Sequence, residues 1–445
     1  MGQAEATERI GPTRVSELPS YQGAGRISAV SSSLAEEVVI TGIGVMLPGC
    51  DNRGTFWQQL RDGETQLRIE YDPEDSEPRP VGRIGDFVAA QYLPGINPRL
   101  YRRCHREQLV YLCSVVQAAL DAGMDPIAMR QRRVGLFDGT SRGSFAFWYD
   151  LIRRQVSEPG SRLSVHEISA GMPGQAVGIA AAILGTQGPT YTFNGTCAAG
   201  AIAIGHAYRE LLLGNVEIAF GTGHDVALVE PLFQMYKDAG LMSNAEDPTK
   251  AIQPYTGHHL NAFGEGAVTL VLETASHARR RGARPLARIA GYHYGNGGTH
   301  PTDVDFTGER PARLIAELLE RNDVESSEID FVLGHGNGVR ASDISELNYM
   351  KRVFGERTRT VPLISTKPVY GHTLGASSAL NVAASALMLH NAHTIPTVGS
   401  DPRGKVHGFN HQEKGGESRE LRAGLVVAYG IGGQNAALAL ERVQP

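Results

Sequence analysis

Hydrophobic and polar positions along this chain follow two habits that take turns. Short apolar runs, several broken or closed by glycine, recur: Val38-Val39-Ile40-Thr41-Gly42-Ile43-Gly44-Val45, Val134-Gly135-Leu136-Phe137, Val216-Glu217-Ile218-Ala219-Phe220, Phe331-Val332-Leu333 and Leu425 to Tyr429. Runs this short and this apolar predict buried strands. Between them apolar residues fall at helical spacing. Leu109, Val110, Leu112, Cys113, Val116, Ala119 and Leu120 form such a stripe, and Ala122-Gly123 ends it. Further helices are predicted from about Cys197 to Leu213, Asp343 to Phe354 and Ala376 to His390. Strand–helix–strand alternation with buried strands predicts an α/β fold.

The pattern runs twice. The segment Gly264–Glu273 matches Gly432–Glu441 at its first residue, both leucines and the final glutamate, at a constant offset of 432 − 264 = 168. That fits two halves of related topology with a site at their seam. The expected division is a flexible N-terminal arm over 1–36, rich in Ser, Gly, Ala and Glu without periodicity, then a half over 37–285 and a half over 286–445.

Composition narrows the function. The 445 residues, 41% hydrophobic and 20% charged, suffice for one large core or two fused halves. With 42 basic and 47 acidic residues the net charge is −5, which leaves no basic footprint for nucleic acid. The four cysteines, Cys50, Cys104, Cys113 and Cys197, are too scattered for a disulfide framework, and none forms a CxxC pair, so no metal site is expected. The start, MGQAEATERIGPTR, has no apolar core of a secretory signal, and Ala6 stands where myristoylation wants Ser or Thr. No run approaches the roughly 18 apolar residues of a membrane span. A cytoplasmic protein without membrane contact is expected.

The chemistry concentrates in three segments. In Gly188-Pro189-Thr190-Tyr191-Thr192-Phe193-Asn194-Gly195-Thr196-Cys197-Ala198-Ala199-Gly200-Ala201, a strand-like run stops at a cysteine and an alanine-rich helix begins. A sulfur there meets the unpaired N–H groups and the positive end of the helix dipole, which favour a thiolate. Gly334-His335-Gly336-Asn337-Gly338 follows a strand, and Gly371-His372-Thr373-Leu374-Gly375 precedes a helix. Glycines beside each histidine predict imidazoles in open, close-fitting pockets. Lys367, five residues before His372, adds a cation able to tune nearby pKa values.

These segments resemble the β-ketoacyl synthases of the thiolase superfamily, from about Val38 to Arg442. Thr196-Cys197-Ala198-Ala199-Gly200 matches the nucleophile motif, and His335-Gly336-Asn337-Gly338 with Asp343 resembles the first histidine motif. Ser365-Thr366-Lys367-Pro368-Val369-Tyr370-Gly371-His372-Thr373-Leu374-Gly375-Ala376 matches the lysine and second histidine motif. Gly264-Glu265-Gly266-Ala267 and Tyr429-Gly430-Ile431-Gly432-Gly433-Gln434-Asn435-Ala436 match two more. The resemblance implies a thiolase-like fold, two αβαβα halves in five layers. It implies that Cys197 takes an acyl group from the phosphopantetheine of an acyl carrier protein. A malonyl-type extender then loses carbon dioxide, and its enolate attacks the acyl thioester. His335 and His372 would hydrogen-bond the extender carbonyl as neutral rings, Lys367 would organise their surroundings, and the N–H groups of Cys197 and Ile431 would form the oxyanion hole. No intrinsic cofactor is implied. Pairing through the strand Thr190–Asn194 is, as a homodimer or with a chain-length-factor-like subunit.

Departures from the family pattern bear on substrate. Asn337 and Val339 replace the threonines whose hydroxyls contact pantetheine, Ile431 replaces a phenylalanine gate beside the acyl pocket, Leu333 and Gly334 replace a Glu-Ala pair, and His258-His259-Leu260 replaces Arg-Asp-Gly. They leave a second reading open, an acyltransferase that passes the Cys-bound acyl group to a non-malonyl acceptor. The chain length factor typically carries Gln where Cys197 stands. An acidic carrier would need a basic patch, for which Arg102, Arg103 and Arg106, or Arg130, Arg132 and Arg133, are candidates, though a solvated face is the plainer reading of either cluster. Gly139-Thr140-Ser141-Arg142-Gly143 satisfies a hydrolase G-x-S-x-G pattern after a strand, and the synthase resemblance makes it a strand-end loop near the active-site entrance.

Overall fold

The apolar runs become strands of one sheet, described in a computed structural model of the protein. Residues 36–443 are described except 259, 299–300, 303, 401–407 and 413–414, so the expected arm, save its last residue, and His259 lie outside the described residues. Ten strands build the sheet: β1 (Val38–Met46), β2 (Val134–Thr140), β3 (Thr190–Asn194), β4 (Ile218–Asp225), β5 (Gly266–Thr274), β6 (Ala287–Asn296), β7 (Ile329–Leu333), β8 (Leu363–Ile364), β9 (Ala423–Gly430) and β10 (Gln434–Glu441). Their spatial order is β8-β7-β9-β10-β6-β1-β5-β4-β2-β3.

That order is two copies of one pattern, joined back to back. β1 pairs antiparallel with β5, β5 antiparallel with β4, β4 parallel with β2, and β2 parallel with β3. β6 pairs antiparallel with β10, β10 antiparallel with β9, β9 parallel with β7, and β7 parallel with β8. Each strand of the first set has its counterpart five strands later. The halves meet where Val38–Ile40 of β1 pairs with Ala287–Ile289 of β6. The weak repeat between Gly264–Glu273 and Gly432–Glu441 is therefore structural, since it relates β5 to β10.

Six helices supply three further layers: α1 (Arg106–Asp121), α2 (Gln175–Leu184), α3 (Ala199–Leu212), α4 (Glu309–Arg321), α5 (Arg340–Phe354) and α6 (Ala376–Asn391). α3 and α6 touch strands of both half-sheets and each other, so they form the middle layer. α1 and α2 cover the outer face of the first half, and α4 and α5 that of the second. The sequences fit these places. α6 is buried from Ala376 to Leu389 and built largely from Ala and Ser, which a helix between two sheets requires. α4 buries Pro311, Ala312, Leu314, Ile315, Leu318 and Leu319 on one stripe and leaves the rest polar, as an outer helix should. Where α3 crosses α6, a Cβ on Gly200 would lie 2.8 Å from Ala379, so only glycine allows the approach.

β2 and β4 run three and five residues past the apolar runs that announced them. Their last turns carry Asp138, Thr140, His224 and Asp225, polar residues that are buried because they bond one another and neighbouring backbone. Hydrophobic patterning cannot see such positions. β3 ends the sheet, with Thr190, Tyr191 and Asn194 exposed along its free edge.

Candidate active site

The middle helices aim their N-termini at one cavity. Cys197 does not open α3, as its sequence context predicts, but sits one step earlier in a 3₁₀ turn, Thr196–Ala198, that bends β3 into the helix. Thr196 holds a left-handed φ of +51°, a strained conformation that costs about 1–3 kcal/mol and sets the sulfur at the cavity wall. A Cβ on Gly430, at the end of β9, would overlap the Thr196 hydroxyl at 1.7 Å and approach the Cys197 amide nitrogen to 3.0 Å. Glycine there lets the Gly430–Ile431 backbone close over the nucleophile.

The histidines come from the second half. His335 leaves the end of β7, and His372 sits in the turn before α6. His372 Nε2 lies 3.1 Å from Cys197 Sγ. Its Nδ1 accepts from the Leu374 N–H at 3.1 Å and faces the Ser377 hydroxyl at 2.9 Å, so the ring proton of the neutral imidazole resides on Nε2. Burial, then Lys367 and Arg142, hold His372 well below the ordinary histidine range. His372 is thus a neutral donor pointing at the sulfur. His335 packs edge-on to His372 with 5.4 Å between ring centroids and stacks on Tyr429 at 5.0 Å. Burial, Lys367 and His372 likewise keep it neutral.

The glycines beside His335 act otherwise than the sequence suggests. Both histidines are buried, and the neighbouring glycines make room for backbone and carboxylate rather than for an open pocket. A Cβ on Gly334 would lie 2.1 Å from Glu346 Oε2. Glu346 uses that room to accept the N–H groups of His335 at 3.0 Å and Gly336 at 2.6 Å, together with the Tyr255 hydroxyl at 3.0 Å. Lys367 Nζ donates to the His335 carbonyl from the other side. Lys367 therefore stands behind the histidine and does not line the cavity. Burial drives its ammonium down to about 8, opposed by Cys197, Glu346 and Asp343.

Cys197 shows the opposite of a preset thiolate. Burial pushes its thiol up to about 11, and the charges of Lys367 and Arg142 recover only part of that cost. A helix N-terminus alone, the ground on which the sequence predicts a thiolate, is outweighed by desolvation here.

Cys197, His335 and His372 share a cavity of about 260 Å³ with Asn337, Val339 and Ile431. Residues 35–278 match the family model described as Beta-ketoacyl synthase, N-terminal domain, and residues 286–401 match Beta-ketoacyl synthase, C-terminal domain. The chain belongs to the beta-ketoacyl synthase family. This synthase is 30% identical over 420 residues to the tetracenomycin polyketide synthase ketoacyl synthase alpha subunit of Streptomyces glaucescens, a match covering 92% of this chain and 97% of that one. It superimposes with a TM-score of 0.81 and 22% identity on the ketosynthase of a type II PKS acyl-carrier protein complex bound to the hexaketide. The ishigamide ketosynthase/chain length factor gives 0.82 and 24%. Both structural matches cover 92% of this chain and 100% of the other. They carry the thiolase-like fold.

In this synthase Asn337 is spent locally. Its Oδ1 accepts the Val339 N–H at 3.0 Å and the Ser342 hydroxyl at 2.6 Å, leaving the amide nitrogen as the group it can offer a substrate. Ile431 is half exposed at the cavity wall. Tyr236, Asn261, Asp305 and Arg310 also line the cavity and were not found in the sequence, since none stands in a patterned motif; Tyr429, which opens the last matched signature, lines it too. Glu346 could have been found: it lies three residues after Asp343 on the same face of α5, a pair of acids on the face that also carries Tyr349 and Met350. Among the described residues no helix is long and apolar enough to cross a membrane.

Proposed function

We propose that this synthase catalyses decarboxylative Claisen condensation between an acyl group on Cys197 and a malonyl-type extender, in polyketide or fatty acid biosynthesis. The observation that carries the assignment of roles is the 3.1 Å contact between Cys197 Sγ and a neutral His372 whose proton faces the sulfur. Both partners arrive on the phosphopantetheine of an acyl carrier protein.

Acylation begins as Cys197 gives up its proton. Its sulfur attacks the thioester carbon of the carrier, a C–S bond forms, and the pantetheine sulfur leaves and takes up a proton. The Nε2–H of His372 steadies the thiolate, and the N–H groups of Cys197 and Ile431, brought together by Gly430, are the proposed donors to the oxyanion. In the second step the extender's bond to its carboxylate breaks, carbon dioxide leaves, and the electron pair becomes an enolate. Nε2–H of His372 and of His335 would stabilise its oxygen. The enolate carbon attacks the acyl carbon, and the sulfur of Cys197 departs as thiolate. Lys367 is a positioning residue, bonded to the His335 carbonyl. Asn337, Val339 and Ile431 would meet pantetheine and acyl chain.

Oligomeric partners follow the free edge of β3. A second subunit, a copy of this chain or a chain-length-factor-like chain, would extend the sheet there. A cytoplasmic setting suits four unpaired cysteines, one of which must stay a thiol to react.

Incubation with acyl carrier and malonyl carrier should yield acylated Cys197, carbon dioxide and a 3-oxoacyl carrier, read by intact mass and labelled carbon release. Cys197→Ala should abolish acylation. Acyl loading without any decarboxylation would replace this reading with acyl transfer to a non-malonyl acceptor.

A further inference from the structure

The loop Gly139-Thr140-Ser141-Arg142-Gly143 has no role in the chemistry above, yet it reaches the nucleophile. The Ser141 and Arg142 N–H groups each donate to Asp225 at 2.9 Å, and the same carboxylate takes the Gly375 N–H at 2.6 Å. Asp225 thereby ties the loop to the turn that carries His372. The Arg142 side chain lies close enough for its charge to act on both Cys197 and His372. Its Nη2 donates to the Tyr236 phenol at 3.2 Å, and its buried Nε has no hydrogen-bond partner.

Arginine can only donate, so the Tyr236 oxygen accepts from it and the phenol proton is left for another partner. Tyr236 lines the cavity with Cys197, its ring edge-on to Phe263 at 4.4 Å, and Phe263 stacks on His372 at 6.0 Å. Two residues before Phe263, Asn261 lines the same cavity at 2% exposure, and its Oδ1 has no partner. Buried hydrogen-bonding groups without partners are costly, and the Asn261 Oδ1 and the uncommitted Tyr236 phenol proton in one cavity lining, with Arg142 Nε unpartnered beside Tyr236, describe a wall made for polar substrate atoms.

We propose that Tyr236 and Asn261, with Arg142 bonded to Tyr236 from outside the cavity lining, form a polar subsite that selects acyl groups bearing an oxo oxygen on the chain, over saturated alkyl groups, for transfer to Cys197. The inference rests on Cys197 being the acylated residue. The Tyr236 phenol, its oxygen accepting from Arg142, supplies a donor for the oxygen, and the Asn261 amide, holding no hydrogen bond at Oδ1, can turn either end to the chain. A saturated chain would leave the Tyr236 phenol proton and the Asn261 Oδ1 unpaired, which is how a site built to hydrogen-bond rejects an analogue that lacks the bond.

The test uses full-length protein with N-acetylcysteamine thioesters of hexanoate, 3-oxohexanoate and 5-oxohexanoate, and follows Cys197 loading by intact mass. At least one oxo substrate should load about tenfold faster than hexanoate or more. Arg142→Met and Tyr236→Phe should bring that ratio toward one. Tyr236→Phe keeps the ring against Phe263 and so guards against a variant that merely misfolds. Arg142→Met should also move iodoacetamide labelling of Cys197 to higher pH, because a cation beside the sulfur is gone. Hexanoate loading as fast as both oxo substrates, or a preference that survives in both variants, overturns the polar subsite and leaves the synthase reading intact. Failure of all three to load the wild-type protein sinks both.

Discussion

Replacing His372 should separate the two half-reactions, and the geometry says by how much. His372 offers a single Nε2–H, 3.1 Å from the sulfur, and is held as that tautomer by Leu374 and Ser377. In loading, its loss removes one hydrogen bond to a thiolate. With the thiol at about 11, roughly 0.1% is ionised at pH 8, so loading already runs on a small fraction. One hydrogen bond of about 1–1.5 kcal/mol changes that fraction about five- to tenfold. In decarboxylation the same N–H would face a full developing oxyanion, and removing such a donor costs about 2.7–4 kcal/mol, or a hundred- to thousandfold. His372→Ala should therefore load about tenfold slower and decarboxylate at least a hundredfold slower. His335→Ala should lose decarboxylation to the same degree and keep loading within a few fold, since His335 contacts His372 and Tyr429 rather than the sulfur. His372→Gln, which fills more of the space, controls for the cavity left beside Phe263. Intact-mass time courses and labelled carbon dioxide release measure the two rates on each variant. Equal losses in both rates for His372→Ala, or a larger loading defect for His335→Ala than for His372→Ala, would refute the division of labour.

Limiting iodoacetamide should label Cys197 before Cys50 and Cys113 and faster as pH rises past 9; those two are buried with thiols pushed up to about 12, so earlier labelling of either in peptide maps would contradict the site. Buried His335 refuses the proton its unfolded counterpart binds near pH 6.5, so its contribution is intact above that pH and lost below it. The stability difference between wild type and His335→Asn in urea should accordingly shift against wild type by up to about 1.4 kcal/mol per pH unit below 6.5, and a pH-independent difference would refute a neutral ring. His224, buried between Asp138 at 2.7 Å and Glu107 at 3.1 Å, is held well above the ordinary histidine range despite desolvation by those two carboxylates. His224→Ala should cost about 3–5 kcal/mol in chemical denaturation, and a loss below 1 would show that the charges are not coupled.

What the sequence disclosed follows from what patterning can register. Strand runs and helical stripes report burial of apolar side chains, so β1, β7, α1, α3 and α6 appear within a few residues of their places. Asp138, His224 and Asp225 are equally buried but satisfied by one another, so the pattern cut β2 and β4 short. The segment between β2 and β3, which holds α2, shows neither clean stripe nor strand and went unassigned. At the site, Cys197, His335 and His372 stood out because reactive residues with small neighbours are rare. Their glycines misled about cause, since Gly334 makes room for Glu346 and not for substrate. Desolvation was invisible as well, because it depends on the whole fold around the Cys197 sulfur and not on its neighbours in sequence.

The doubled topology explains why these residues meet. β2 and β7 are counterparts in the two half-sheets, and so are α3 and α6. The loop after β2 carries Arg142, and the loop after β7 carries His335. The turn before α3 carries Cys197, and the turn before α6 carries His372. The two helix starts are bonded to each other, with the Gly200 N–H donating to the Gly375 carbonyl at 3.1 Å. Equivalent strand ends and helix starts thus converge around one nucleophile, one of each from either half. The repeat supplies four positions by symmetry, and the sequence fills them unequally: nucleophile and two neutral donors at three, a guanidinium at the fourth. Symmetry puts that fourth position beside the chemistry as well, just outside the cavity lining. A cation placed there acts on the sulfur and on the ring that faces it.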